Sequence, residues 1–174
     1  AAGIPGTLAR HSTATNTSTH NLANGVQVTL TGSVNTLTTL VWDEDGTAFY
    51  THSDYWGGGY GHASNASFGW ISDTTYNAAG EITGLKTQTI FSNLVGAHGA
   101  SYDEYSKTIF IFGDSRIVQI DPASRTIVAT LDLRTYMFAD TAIDWPTDVR
   151  WRLDQGTTDG KGHLFVASNS GHMI

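Results

Sequence analysis

Two short stretches of this chain are copies of one another. Trp42-Asp43-Glu44-Asp45 and, 60 residues on, Tyr102-Asp103-Glu104-Tyr105 each open a similar unit. A compact apolar run follows each, Ala48-Phe49-Tyr50 and Ile109-Phe110-Ile111-Phe112, and each then reaches an Asp at the same offset, Asp54 and Asp114. A weaker third copy, Leu164-Phe165-Val166-Ala167, reaches Asn169 instead. A period of roughly 50 residues without a helical signal between copies predicts one supersecondary unit per repeat, a stack of four-stranded β-blades. A blade cannot cover its own two faces, so such units are stable only against their neighbours.

Composition agrees with an all-β chain. Gly, Thr, Ser and Asn are abundant, and the strong helix formers never gather into a periodic run. Charged residues are 14% of the 174, against about a quarter in an average protein. Nine Lys and Arg against sixteen Asp and Glu leave a net charge of −7, which repels phosphate backbones and argues against a nucleic-acid partner. No run approaches the roughly 18 apolar residues of a membrane-spanning helix, so no membrane insertion is expected. With no Cys, disulfides, thiol catalysis and Cys-based zinc sites are excluded. The start at Ala-Ala-Gly, the Thr/Ser/Asn-rich residues 12–24 and only three Lys fit a mature secreted or periplasmic protein, or an excised piece of one.

Along the chain, residues 1–24 lack alternation and are read as an irregular surface segment, with blades over 25–174. Val26–Leu30 alternates apolar and polar, the mark of a half-buried strand. The first unit then has strands over Leu37–Trp42 and Thr47–His52, a Gly- and aromatic-rich insertion at Tyr55–His62, and strands at Ser67–Ser72 and Lys86–Phe91. The second has strands at Gly99–Tyr102, Thr108–Phe112, Arg116–Ile120 and Thr126–Leu131, with Asp121-Pro122-Ala123-Ser124 as a tight turn. The third is read as Pro146-Thr147-Asp148-Val149, then Leu164–Ala167, with the polar Asp154–Lys161 stretch as a long solvated turn between them.

His98-Gly99-Ala100-Ser101-Tyr102-Asp103, Ile109–Gly113, Ile117–Asp121-Pro122 and Ile127–Leu131 resemble the YVTN and NHL families of β-propeller repeats, and the third unit is similar to an NHL-type repeat. The resemblance covers about residues 37–174 and implies a propeller. It specifies blade shape and leaves the ligand open. At about 50 to 60 residues per blade the chain holds fewer than three complete blades, whereas closed propellers use four to eight. Further chain or partner protomers are therefore expected to complete the ring.

In an antiparallel blade, the loops between second and third strands share a face with the links between blades. Both long excursions, 55–66 and 134–148, are expected on that face. Its aromatics, Tyr55, Trp56, Tyr60, His62, Tyr136 and Trp145, suit stacking on a glycan or packing on a protein. They equally suit covering one another. Asp54, Asp114 and Asn169 are candidate ligands for a divalent cation such as calcium, which wants several oxygens from separate elements. The gluconolactonase-like propellers carry such a site, and streptogramin lyases, also propellers, use His and Glu on one face. That resemblance makes His98 the candidate acid/base of a metal-dependent lyase or lactonase. The reading preferred on sequence is a binding or scaffolding module, with the enzyme as the alternative. Asn16-Thr17-Ser18 and Asn65-Ala66-Ser67 match the N-glycosylation pattern, relevant only in a eukaryotic secretory pathway.

Overall fold

The structure, a computed structural model, describes residues 18–21, 27–34, 37–53, 66–133 and 153–168. These residues form twelve strands in three sheets, with no α-helix among them. In chain order the strands are β1 Ser18–Asn21, β2 Gln27–Gly32, β3 Thr39–Trp42, β4 Ala48–His52, β5 Ser67–Tyr76 and β6 Ile82–Ser92. They continue as β7 Gly99–Asp103, β8 Thr108–Gly113, β9 Arg116–Asp121, β10 Thr126–Asp132, β11 Leu153–Thr158 and β12 Leu164–Ser168.

The all-β reading holds. Strands β3 to β6 pair in sequence order as one antiparallel meander, and β7 to β10 do the same. The third unit is an antiparallel hairpin of β11 and β12. Within the second unit, period-2 alternation buries Val118 and Ile120 of β9, and turn chemistry ends that strand. Asp121 accepts the amides of Ala123 and Ser124 at 2.9 and 3.2 Å, Pro122 fixes the first turn residue, and the chain reverses into β10.

The first and third units differ from expectation. Strand β2 extends from Gln27 to Gly32 and lies parallel to β6 on the far edge of the first meander, with β1 paired beyond it. A strand thus occurs inside the N-terminal stretch read as irregular. Both strands β5 and β6 run longer than the alternation suggested, with three register shifts between them. In the third unit the first described strand is Leu153–Thr158, all of it but Leu153 inside the stretch read as a solvated turn. Residues 146–149 lie outside the described residues. The polar look of 153–158 has a simple cause: Gln155 and Thr157 are exposed, and only the alternate positions are covered.

Units one and two share one core. Val41, Phe49 and Phe68 from the first pack against Ala100, Ile109, Ile111, Val118 and Ile120 from the second, with Trp70 and Tyr102 at the margin. Phe49 stacks on Phe68 with ring centroids 5.7 Å apart and 6° between planes. Each such side chain contributes about 1.5–3 kcal/mol on burial, so the shared cluster is the main force holding the two sheets face to face.

The pairing registers align the strand ends that flank the first hairpin turn of each unit. Trp42 pairs with Ala48, Tyr102 with Ile109 and Thr158 with Leu164. Trp42, Tyr102 and Thr158 are therefore equivalent, as are Phe49, Phe110 and Phe165. Each first hairpin turn is held by an Asp directly after that position. Asp43 accepts the amides of Asp45 and Thr47, Asp103 that of Ser106, and Asp159 those of Lys161 and His163. The third copy of the opening motif is thus Thr158-Asp159-Gly160-Lys161, which the aromatic look of the other two conceals.

Candidate functional site

Thr38, His98 and Asp154 occupy one equivalent position, four residues before Trp42, Tyr102 and Thr158. Three separate units place them at the start of, or just before, β3, β7 and β11. Ser53 follows directly on β4. These four side chains form a continuous polar line across the units. The Ser53 amide donates to Thr38 Oγ1 at 3.0 Å, Ser53 Oγ lies 2.6 Å from His98 Nδ1, and His98 Nε2 lies 2.9 Å from Asp154 Oδ1.

The protonation pattern follows from the partners. A carboxylate only accepts, so Nε2 carries the proton and donates to Asp154. Nδ1 then accepts from the Ser53 hydroxyl. His98 is 2% exposed, and burial holds its pKa below the ordinary histidine value although Asp154 pulls it upward. The ring is therefore neutral near pH 7, an imidazole bridge rather than an imidazolium ion pair. Its backbone carbonyl is held as well, accepting the hydroxyls of Thr39 (3.2 Å) and Thr51 from the first unit.

The same contact recurs one unit later. A Cβ on Gly99, the equivalent of Thr39, would sit 2.3 Å from the Asp154 carbonyl oxygen and 2.2 Å from the Phe112 ring. Phe112 is the equivalent of Thr51. Strand β7 therefore meets β11 as β3 meets β7, except that a glycine and an aromatic ring replace two hydroxyls. Leu153 donates its amide to the Asp114 carbonyl at 2.7 Å and pairs with it as an isolated bridge.

Of the residues singled out on sequence, His98 and Asp114 lie within the described structure. Tyr55, Trp56, Tyr60, His62, Tyr136, Trp145, Asp54 and Asn169 lie outside the described residues. The register corrects one equivalence. The second hairpin turn is one residue longer than the first, so the counterpart of Asp114 is Ser53 and not Asp54. Among the described residues no group of three or more His, Asp or Glu is placed to hold a metal ion. Sequence reasoning missed Ser53 and Asp154. The signal that finds Asp154 is its offset from the hairpin, which becomes visible once Thr158 is aligned with Trp42 and Tyr102.

The described ends of the two long excursions anchor at this same end of the strands. Ser53, before 54–65, bonds His98, and Ala66, after it, accepts the Leu94 amide at 2.9 Å. Leu133, before 134–152, donates to the Ser115 carbonyl at 2.8 Å, and Leu153, after it, bonds Asp114. The opposite end carries the Asp-held turns and a shallow cleft of about 230 Å³ lined by Asp43, Glu44, Asp45, Tyr102, Lys107 and Asp121 among others. There Lys107 Nζ meets Glu44 Oε2 at 2.6 Å, an exposed pair joining the turns of units one and two.

No protein-family model and no curated protein was found to match this chain. Among the described residues no helix is long and apolar enough to cross a membrane.

Proposed function

We propose that this chain is a secreted β-propeller-type binding or scaffolding module. Its units are blades, and its ligand, a glycan or a protein surface, is met by the face that carries residues 55–66 and 134–148. The observation that carries this reading is His98, sealed at the root of that face with both ring nitrogens engaged by different units. A buried neutral imidazole that joins three units is suited to rigidity. It leaves the chemistry of recognition to residues 55–66 and 134–148, in keeping with the rule that binding groups reside in connections held by a rigid scaffold. A Ser, a His and an Asp in a hydrogen-bonded row do resemble a nucleophilic relay. Here, however, Ser53 and His98 are both buried at the contact between units, and the relay-like row serves to hold those units together.

The test is a glycan array and an extracellular-protein binding screen on the purified chain, followed by Trp56→Ala, Tyr60→Ala, Tyr136→Ala and Trp145→Ala. Loss of the captured ligand in these variants, with binding intact in Asp121→Ala at the opposite end, supports the reading. Binding lost through Asp121→Ala and indifferent to the four aromatics would place the site on the other face and overturn it.

A further inference from the structure

Strand alternation distinguishes a forward face and a back face on every unit. In β3, Thr39 and Val41 look forward to the second unit, the one bonding the His98 carbonyl and the other joining the shared core. Trp42 therefore looks backward. Its equivalent Tyr102 also looks backward, into the core shared with the first unit. Thr158 does the same, donating its hydroxyl to the Tyr102 carbonyl at 3.1 Å.

Phe49, Phe110 and Phe165 are the equivalents on the forward face, and their burial tracks what lies in front of them. Phe49, under a complete four-stranded unit, is 1% exposed. Phe110, facing the two described strands of the third unit, is half-buried. Phe165 is 50% exposed, with Gln155 and Thr157 exposed beside it. At the other end of the series, Trp42 on the back of the first unit is 40% exposed where Tyr102 is half-buried against the shared core. Tyr50, farther along that back face, is already buried, so the free area lies at the turn end, around Trp42.

We propose that a second copy of this chain completes these surfaces head to tail: the forward face at Phe165 of one copy receives the back face at Trp42 of the next. The contact repeats, at its turn end, the one by which the Phe49 side of the first unit receives the Tyr102 side of the second. A second copy is the occupant because one chain carries both halves. Their charges also match. In the third unit's turn His163 is bonded to Asp159 at 2.8 Å, which leaves exposed Lys161 to face the Asp43-Glu44-Asp45 turn of the first unit. The Lys107–Glu44 pair is the internal precedent. A head-to-tail contact joins two different patches, so copies either close a ring or extend a row. The proposal rests on the equivalence of the units and is independent of which ligand the opposite face binds.

Sedimentation velocity on the full chain tests it. The wild type is expected to gain mass with concentration above its 18.7 kDa monomer and to lose it again as salt rises. Trp42→Glu and Phe165→Glu alone are each expected to stay monomeric, and their equimolar mixture to form a one-to-one pair that grows no further. Each variant keeps one intact half, and both substitutions lie at exposed positions. If circular dichroism shows either variant unfolded, the serine variant takes its place. A wild type that stays monomeric throughout overturns the proposal. So does a mixture that stays monomeric while the wild type associates, because that pattern belongs to a contact between like patches.

Discussion

His98 Nε2 and Asp154 Oδ1 stand 2.9 Å apart, a hydrogen bond between the second and third units whose members are 56 residues apart in sequence. Equivalent positions in successive units rarely touch through side chains. Here they do, because the residue at this position in the second unit is long and has two polar ends. Nδ1 reaches back to Ser53 while Nε2 reaches forward.

Removing the bridge is expected to cost more than a surface hydrogen bond. His98→Ala leaves the buried Ser53 hydroxyl only its 3.4 Å contact with Thr38 Oγ1 and opens a void, so a loss of about 2–4 kcal/mol is expected. Ser53→Ala, which leaves Nδ1 without its donor, is expected to cost about 1–2 kcal/mol. Urea denaturation of both variants and of the double variant checks this. The two losses should fail to add, since each substitution breaks the same bond.

Acid should weaken the fold earlier than carboxylate titration alone would predict. His98 has a folded pKa below its ordinary value of 6.5, chiefly through burial, so the unfolded chain binds the proton more readily. The stability this group contributes is present above pH 6.5 and is lost as pH falls from there through the lower folded value. Asp103 adds a second window. Burial pushes its carboxyl up, but donors from Ser106 and the Tyr105 amide outweigh that and hold it below 3.8, so its contribution is lost only as pH falls below that value. Thermal melts from pH 7 to 5 are expected to show a falling Tm in the wild type and a flatter profile in His98→Gln.

Two glycines separate crowding from backbone strain. Gly99→Ala would place a methyl 2.2 Å from the Phe112 ring and 2.3 Å from the Asp154 carbonyl oxygen, forcing the second and third units apart. A loss of about 1–3 kcal/mol or more is expected. Gly46 has φ +79° with nothing within 4 Å of an added Cβ. Gly46→Ala therefore pays only the left-handed penalty of about 1 kcal/mol. Chemical denaturation should rank them in that order.

The turn aspartates should differ by burial. Asp103 is buried and accepts both the Ser106 amide (2.9 Å) and its hydroxyl (2.7 Å), so Asp103→Ala is expected to cost about 1–3 kcal/mol. Asp159 accepts from Lys161 and His163 in an exposed turn, and Asp159→Ala should shift the denaturation midpoint much less. Equal losses would show that burial does not set the cost.

The second unit was legible almost to the residue, because Ile109, Ile111, Val118 and Ile120 alternate cleanly and Asp121-Pro122 announces its own turn. The third was not. In its first described strand Gln155 and Thr157 are exposed and carry polar side chains, so the segment reads as loop. The mistaken equivalence of Asp54 with Asp114 came from one extra residue in the Asp103–Thr108 turn, which changes spacing without changing apolar pattern. Strand β2 was visible by alternation, but its parallel place beside β6 is a tertiary choice that local periodicity does not encode. His98 could be singled out from the sequence. Its partner Ser53 could not, since it lies 45 residues away and meets it only through packing of the units, and Asp154, 56 residues away, comes into view only once Thr158 is aligned with Trp42 and Tyr102.

The most direct test of the account is the state of the His98 ring itself, read by nitrogen-15 NMR of histidine-labelled protein between pH 8 and 5. The account predicts a neutral imidazole protonated at Nε2, still neutral below pH 6.5, with Nδ1 shifted in Ser53→Ala and Nε2 shifted in Asp154→Asn. A ring that titrates freely near pH 6.5 and ignores both substitutions would contradict a buried bridge joining three units.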